Sequence, residues 1–167
     1  KMLNITHDTG VFLAHLVHAM NATRILEIGT SNGYSTLWLA HATAQLDGHV
    51  TTIEQDVAKI EQAKINFNRA QLTNHIMQVE ADAGQLLLNV QASAFDIIFL
   101  DSDRSAYLDW WPHIRQAIRV GGAVVVDNAT SHAQEMQTFM EMVTADACFS
   151  NKLVDIGNGE FMAIRTA

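Results

Sequence analysis

Between Arg24 and Ala40 the chain reads RILEIGTSNGYSTLWLA: a short apolar run, an acid inside it, a glycine turn, then a helical stretch opened by hydroxyl residues. Ile25, Leu26 and Ile28 are large or branched, and the run is too short for a helix, so it reads as a buried strand. Glu27 interrupts it. A carboxylate embedded there is costly unless partnered, so it is either hydrogen-bonded to nearby backbone or reserved for a cationic or donor-rich ligand. Gly29 and Gly33 let the backbone turn tightly and approach a ligand closely, while Ser31, Asn32, Ser35 and Thr36 can cap the following helix and offer hydroxyls. A strand, a glycine turn and a helix in this order point to a nucleotide-type cofactor site.

The glycine spacing narrows that reading. A dinucleotide fingerprint needs G-x-G-x-x-G, whereas the pattern here is E-x-G-x-x-x-G with two glycines, which disfavours a nicotinamide cofactor. About 20 residues further on, the doubly wound plan calls for an acid at the end of the second strand to hold a ribose hydroxyl. HVTTIEQD supplies Glu54 there, followed by Gln55.

Alternation along the chain sets the fold class. Strand-like runs at Ile25–Ile28, Val50–Ile53, Ile76–Val79, Ile97–Leu100 and Ala123–Val126 are separated by segments of helical period, which argues for a parallel sheet. The helical stripes are Leu13, Leu16, Val17 and Met20; Ile60, Ala63 and Phe67; Tyr107, Trp110, Trp111, Ile114 and Ile118; Met136, Phe139, Met140 and Val143. These aromatics and methionines are expected in the core. The lone proline, Pro112, is placed near the start of a helix, where it is tolerated. Lys152–Ile156 and Glu160–Ile164 flank Gly157-Asn158-Gly159, a strong hairpin signal that ends the sheet antiparallel.

A chain of 167 residues, 49% hydrophobic and 17% charged, can bury one sizeable core, and no repeat or linker divides it, so a single domain over residues 1–167 is expected. Ten basic against eighteen acidic residues give a formal charge of −8, arguing against a nucleic-acid or anionic-membrane surface. The single cysteine, Cys148, cannot form an internal disulfide, and no signal-peptide or transmembrane-length run is present, which suits the cytoplasm.

Taken in order, EIGTSNGYST, IEQD, ADAGQLL, FDIIFLDSDRSAY and GGAVVVDN resemble the class I S-adenosylmethionine-dependent methyltransferases. More narrowly they look like the cation-dependent O-methyltransferases of the catechol and caffeoyl-coenzyme A type. The resemblance covers nearly the whole chain and implies an α/β, doubly wound, Rossmann-like seven-stranded sheet in the order 3-2-1-4-5-7-6, with helices on both faces. It also implies that Glu27, Gly29, Thr30 and Ser35 face the methionine portion, with Gly33 in the same turn. Glu54, followed by Gln55, would accept from the ribose, and Asp82 with Ala83 would border the adenine; an acid in Asp82's place is as often a helix N-cap.

Asp101, Asp127 and Asn128 close the fourth and fifth strands and carry only hard oxygen donors, which suits Mg²⁺, Ca²⁺ or Mn²⁺ rather than zinc. By resemblance the three hold a divalent ion that activates and orients a hydroxyl of a small-molecule acceptor. The bland alternatives are that the Asp-Asn pair caps the next helix and that Asp101 binds the cofactor's amino group without metal. Asp103 reads as a solvated loop acid.

Two features depart from the family pattern. Arg104 stands where the family carries lysine, and arginine stays charged, so it is a poor general base. Either the metal suffices, or His132 takes the proton, or Arg104 fixes an anionic substrate; His132 also reads as a helix-start residue. Secondly, only MLNITHDTGVF precedes the first core helix, and the run from Asn128 to His132 is short, so the acceptor pocket is expected to be open or completed by a partner subunit. Phe12, Leu13, Leu16 and Val17 need cover, which a homodimer or the chain's own sheet would supply. The leading expectation is an S-adenosylmethionine-dependent O-methyltransferase. The alternatives are a domain that binds this cofactor without turnover and acts through partners, and an oxidoreductase, which the glycine spacing and Glu27 oppose.

Overall fold

The computed structural model describes residues 4–167. Seven strands form one sheet: β1 (Arg24–Ile28), β2 (His49–Glu54), β3 (Ile76–Glu80), β4 (Phe95–Leu100), β5 (Ile118–Val126), β6 (Phe149–Val154) and β7 (Glu160–Arg165). Their order is β3-β2-β1-β4-β5-β7-β6, with β7 antiparallel to both neighbours, as the resemblance implied. Among the described residues six α-helices accompany them: α1 (His7–Met20), α2 (Tyr34–Ala44), α3 (Val57–Arg69), α4 (Ala83–Leu87), α5 (Tyr107–Ala117) and α6 (Ala133–Ala145).

The central strands are apolar on consecutive residues because both sheet faces are covered. Leu26, Ile98, Leu100 and Val124 pack with Trp111, Ile114 and Phe139 of α5 and α6, while Ile25, Ile97, Phe99 and Val125 pack with Leu13, Val17 and Leu39 of α1 and α2. Leu13 and Val17 are fully buried against their own sheet, so the cover that α1 needs comes largely from this chain. Among the described residues no helix is long and apolar enough to cross a membrane.

Four boundaries differ from the sequence reading, the first being that HDTGVF, read as preceding the first core helix, forms the opening turns of α1, which starts at His7 behind the Thr6 cap. Ile118, counted in a helical stripe, is the first residue of β5, because α5 stops at Ala117 and the chain turns extended at Ile118 (φ −83°, ψ 133°). Pro112 lies inside α5 rather than near its start; a helical proline there leaves the Leu108 carbonyl without its usual donor. The sixth strand spans Phe149–Val154 instead of Lys152–Ile156, since Phe149 is its buried anchor and the chain bends away after Val154.

Candidate active site

Backbone bonds continue past the strand ends and hold the carboxyl edge of the sheet together. Gly29 N–H donates to Ile53 O (3.0 Å), Asp101 N–H to Ile28 O (3.0 Å) and Asp127 N–H to Leu100 O (3.1 Å). A cleft of about 190 Å³ opens at this edge. Gly29, Glu54, Gln55, Asp82 and Ala83, all expected at the cofactor site, line it together with Ser102, Asp103, Ala106 and Trp110. Gly29 has φ +104°, and a Cβ there would lie 2.1 Å from the Asp101 carbonyl oxygen, so only glycine lets β1 and β4 end this close together.

Glu27 does not open into the cleft. It is wholly buried beneath the turn, where Ser35 Oγ donates to Oε2 (2.6 Å) and Thr36 Oγ1 and Thr52 Oγ1 (2.7 Å) donate to Oε1. Thr30 Oγ1 pairs in turn with Thr52 Oγ1 at 2.6 Å. The acid is therefore partnered, by side-chain hydroxyls instead of backbone. Burial raises its pKa, and the three hydroxyls only partly oppose that. Ser35 and Thr36, expected to cap α2, are turned back to Glu27; the N-cap is Gly33 (φ +88°), and Asn32 Oδ1 takes the Tyr34 N–H (3.1 Å).

Around the cleft the acids are organised by backbone donors. Glu54 accepts from the N–H groups of Ser31 (2.9 Å), Gln55 (3.1 Å) and Asp56 (3.2 Å), which hold its carboxylate at the end of β2. Asp82 is the N-cap of α4, taking the Gln85 N–H (3.0 Å), and it also lines the cleft. Asp103 caps the short 3-10 turn Arg104–Ala106, and the hydroxyl and N–H of Ser105 lower its pKa.

Beyond the cleft, Asp101, Asp127 and Asn128 converge. Asn128, in the left-handed region (φ +64°), donates Nδ2–H to Asp101 Oδ1 (3.2 Å). Asp127 is 3% exposed, and its Oδ1 is buried without a partner. Burial, then the negative charges of Asp127 and Glu27, push Asp101 up to about 7, against the attraction of Arg104. Glu160, at the start of β7, adds a third carboxyl: burial and the Asp127 carboxyl push it up to about 11. Among the described residues no three His, Cys, Asp or Glu side chains are arranged to hold a metal by themselves. The corner brings together two carboxylates and the Asn128 amide, whose Oδ1 accepts from Ser131 Oγ (3.2 Å), and the orphaned Asp127 oxygen among hard donors fits a divalent cation.

Arg104 is tied by Nε to Glu135 Oε2 (2.8 Å) at the start of α6. His132 is the N-cap residue of α6, with Nδ1 2.9 Å from Ser131 Oγ, matching its reading as a helix-start residue. Trp110 lines the cleft although its helical spacing placed it with the core. Successive helical residues point about 100° apart, so Trp110 and Trp111 cannot share a face; Trp111, 3% exposed against Phe139 and Phe149, takes the core. The adjacency of the two tryptophans was the signal for this.

The fold and the edge site define a class I methyltransferase. The sequence model of the O-methyltransferase family matches residues 1–166, and the chain belongs to that family. It is 37% identical over 127 residues to a catechol O-methyltransferase from Mycobacterium tuberculosis (74% of this chain, 56% of the relative). It is 32% identical over 130 residues to a caffeoyl-CoA O-methyltransferase from Populus kitakamiensis (75% and 55%). The chain thus spans little more than half the length of these curated relatives. A crystal structure of the O-methyltransferase from Streptomyces achromogenes involved in tomaymycin synthesis, in complex with S-adenosylmethionine, superposes with a TM-score of 0.87 at 27% identity, covering 99% of this chain and 82% of that one.

Proposed function

We propose that this chain is an S-adenosylmethionine-dependent O-methyltransferase acting, in the cytoplasm, on a hydroxyl of a small molecule with the help of a divalent cation. The observation that carries the reading is the continuity of one edge: a cleft bounded by Gly29, Glu54 and Asp82 runs into a carboxylate–amide corner built from the adjacent strand ends. Glu54, held by three backbone N–H groups, presents a fixed acceptor to the ribose hydroxyls. Asp82, Ala83 and Trp110 form the adenine end, with the indole as its flat wall. Gly29 keeps the methionine end open to close approach, and Glu27 braces the turn from below through Ser35, Thr36 and Thr52.

Asp101, Asp127 and Asn128 would hold the cation, which supplies Lewis acidity that lowers the pKa of the acceptor hydroxyl. Methyl transfer breaks the sulfonium C–S bond, forms a C–O bond and releases the hydroxyl proton. Arg104 does not take that proton: it stays charged and is held by Glu135, so its contribution is to fix the loop after β4 against α6 and to attract negative charge. The catechol and caffeoyl-CoA relatives suggest a hydroxylated aromatic acceptor.

The test is incubation with S-adenosylmethionine and a panel of catechols and hydroxycinnamates, with Mg²⁺ or with chelator, following S-adenosylhomocysteine release. Metal-dependent release supports the proposal. Tight cofactor binding with no release for any acceptor would favour the non-catalytic reading.

A further inference from the structure

Ser102 is where the backbone ladder at the carboxyl edge gives way to a side chain. The N–H of Asp101 still goes to Ile28 O (3.0 Å), but one residue on, Ser102 N–H donates to the Tyr107 hydroxyl (2.8 Å), which in turn donates to Ser102 O (3.3 Å). Tyr107 opens α5 and is 1% exposed; its ring packs with Phe139 (centroids 5.6 Å apart) and with Trp110 (5.7 Å). The cleft is lined by Ser102 and Trp110, the two residues that Tyr107 holds from behind.

A peptide unit that leaves a sheet must find new partners. The outer half of this loop closes on itself, since Asp103 takes the N–H and the hydroxyl of Ser105, and Ala106 N–H returns to Asp103 O (3.1 Å). The inner half closes on the phenol. Its placement matters because Ser102 stands over the glycine turn: a Cβ at Gly29 would lie 3.3 Å from Ser102 Cβ. A shift of Ser102 therefore changes the gap between the ends of β1 and β4, where the cleft opens.

We propose that Tyr107 is a positioning residue for the cofactor: its hydroxyl pins the Ser102 peptide over the Gly29 turn while its ring backs Trp110, so that one buried side chain fixes two walls of the S-adenosylmethionine cleft. The inference rests on the reading of this cleft as the cofactor site and does not depend on the cation corner. Tyr107→Phe keeps the ring and its packing and removes only the hydroxyl, leaving the Ser102 N–H and carbonyl without their partner. Thr43→Val is the control. Thr43 is fully buried at the opposite edge of the sheet, where its hydroxyl donates to Ala22 O (2.7 Å), so the substitution removes one buried hydroxyl bond far from the cleft.

The experiment titrates wild type, Tyr107→Phe and Thr43→Val calorimetrically with S-adenosylhomocysteine in the presence of a chelator, with thermal unfolding followed on the same samples. Both substitutions are expected to lower Tm. Only Tyr107→Phe is expected to weaken S-adenosylhomocysteine binding, by about 10-fold, with Thr43→Val within about 2-fold of wild type. Wild-type affinity in Tyr107→Phe would overturn the proposal, since the phenol would then serve stability alone. An equal loss in Thr43→Val would overturn it as well, by making the effect one of general loosening. Hydrogen exchange on wild type tests the pin without any substitution: the Ser102 amide should exchange at least about 10-fold more slowly than an open amide, and exchange at the open rate would refute the pin. Absence of S-adenosylhomocysteine binding to wild type would be a different failure, that of the cofactor site itself, and would remove the positioning role with it.

Discussion

Asp96 and Asp101 stand at opposite ends of β4, five residues apart, and the protein treats them in opposite ways. Asp96 receives the N–H groups of Thr23 (2.9 Å) and Arg24 (3.0 Å) on Oδ2, and Arg24 Nη2 (3.1 Å) and Arg119 Nε (2.7 Å) on Oδ1. Burial alone would raise its pKa, but these four donors outweigh it and the net shift is downward. Asp101 has only the Asn128 amide, faces Asp127, and is raised. One end of the strand is stapled shut by its own chain; the other is left short of positive charge. An acid already saturated by donors is structural, whereas buried acids that collect at an edge and stay short of donors mark a candidate functional site.

The largest effects should separate the two ends. Asp96→Ala leaves two arginines and two backbone N–H groups without their acceptor, and should lower unfolding free energy by about 3–5 kcal/mol in denaturant titration. Asp101→Asn should leave stability unchanged or raised, while methyl transfer falls by about 10³-fold, corresponding to the several kcal/mol that metal assistance supplies. A severe loss of stability in Asp101→Asn with little loss of turnover would invert the comparison.

Next in size is the pH dependence, where the signs are opposite. Asp96 has a folded pKa below its unfolded value near 3.8, so its stabilisation is present above that value and is lost as pH falls further. Asp101 has a folded pKa of about 7, so between about 3.8 and 7 the folded state holds the extra proton, and stability declines as pH rises through this window. Thermal unfolding in metal-free buffer should show that decline in wild type and a flatter profile in Asp101→Asn.

A cation should repair the unsatisfied end and leave the other indifferent. At a Mg²⁺ or Mn²⁺ concentration about 100-fold above Kd, wild type should gain about 2.7 kcal/mol by linkage, and Asp127→Asn should gain little. Asp96→Ala should gain the same as wild type, since its defect lies at the far end. The smallest effect concerns the cleft wall: Trp110→Ala should weaken S-adenosylhomocysteine binding by about 10-fold, in keeping with the 1–3 kcal/mol typical of base–aromatic stacking, with Tm nearly unchanged because Trp111 carries the core packing. A Trp110→Ala protein that binds as wild type would remove the indole from the adenine site.

Much of this edge was legible in the sequence because it follows from local rules. Apolar runs alternating with helical periods marked the parallel strands, Gly157-Asn158-Gly159 marked the hairpin, and the strand-end positions of Glu54, Asp101 and Asp127 followed once the strands were placed. What resisted reading depends on contacts between distant segments. Glu27 reads as an acid held by nearby backbone or reserved for a ligand until the fold brings the hydroxyls of Ser35, Thr36 and Thr52 onto it. Glu160 reads as an ordinary hairpin residue until antiparallel pairing sets β7 beside β5. Helical spacing places Trp110 with the core, and only the competition with Trp111 for one helix face sends it to the cleft. The helix stop at Ala117 is equally non-local, because nothing in YLDWWPHIRQAI itself ends the helical period before Ile118 joins β4 through Phe95.

The most direct measurement is a calorimetric titration with S-adenosylhomocysteine, run with Mg²⁺ and again with a chelator. Micromolar binding in wild type, with a heat or affinity that changes on chelation and ceases to change in Asp127→Asn, is the result this account predicts. Absence of binding in both conditions would contradict it, and would mean that the glycine turn and the acids beside it serve some other ligand.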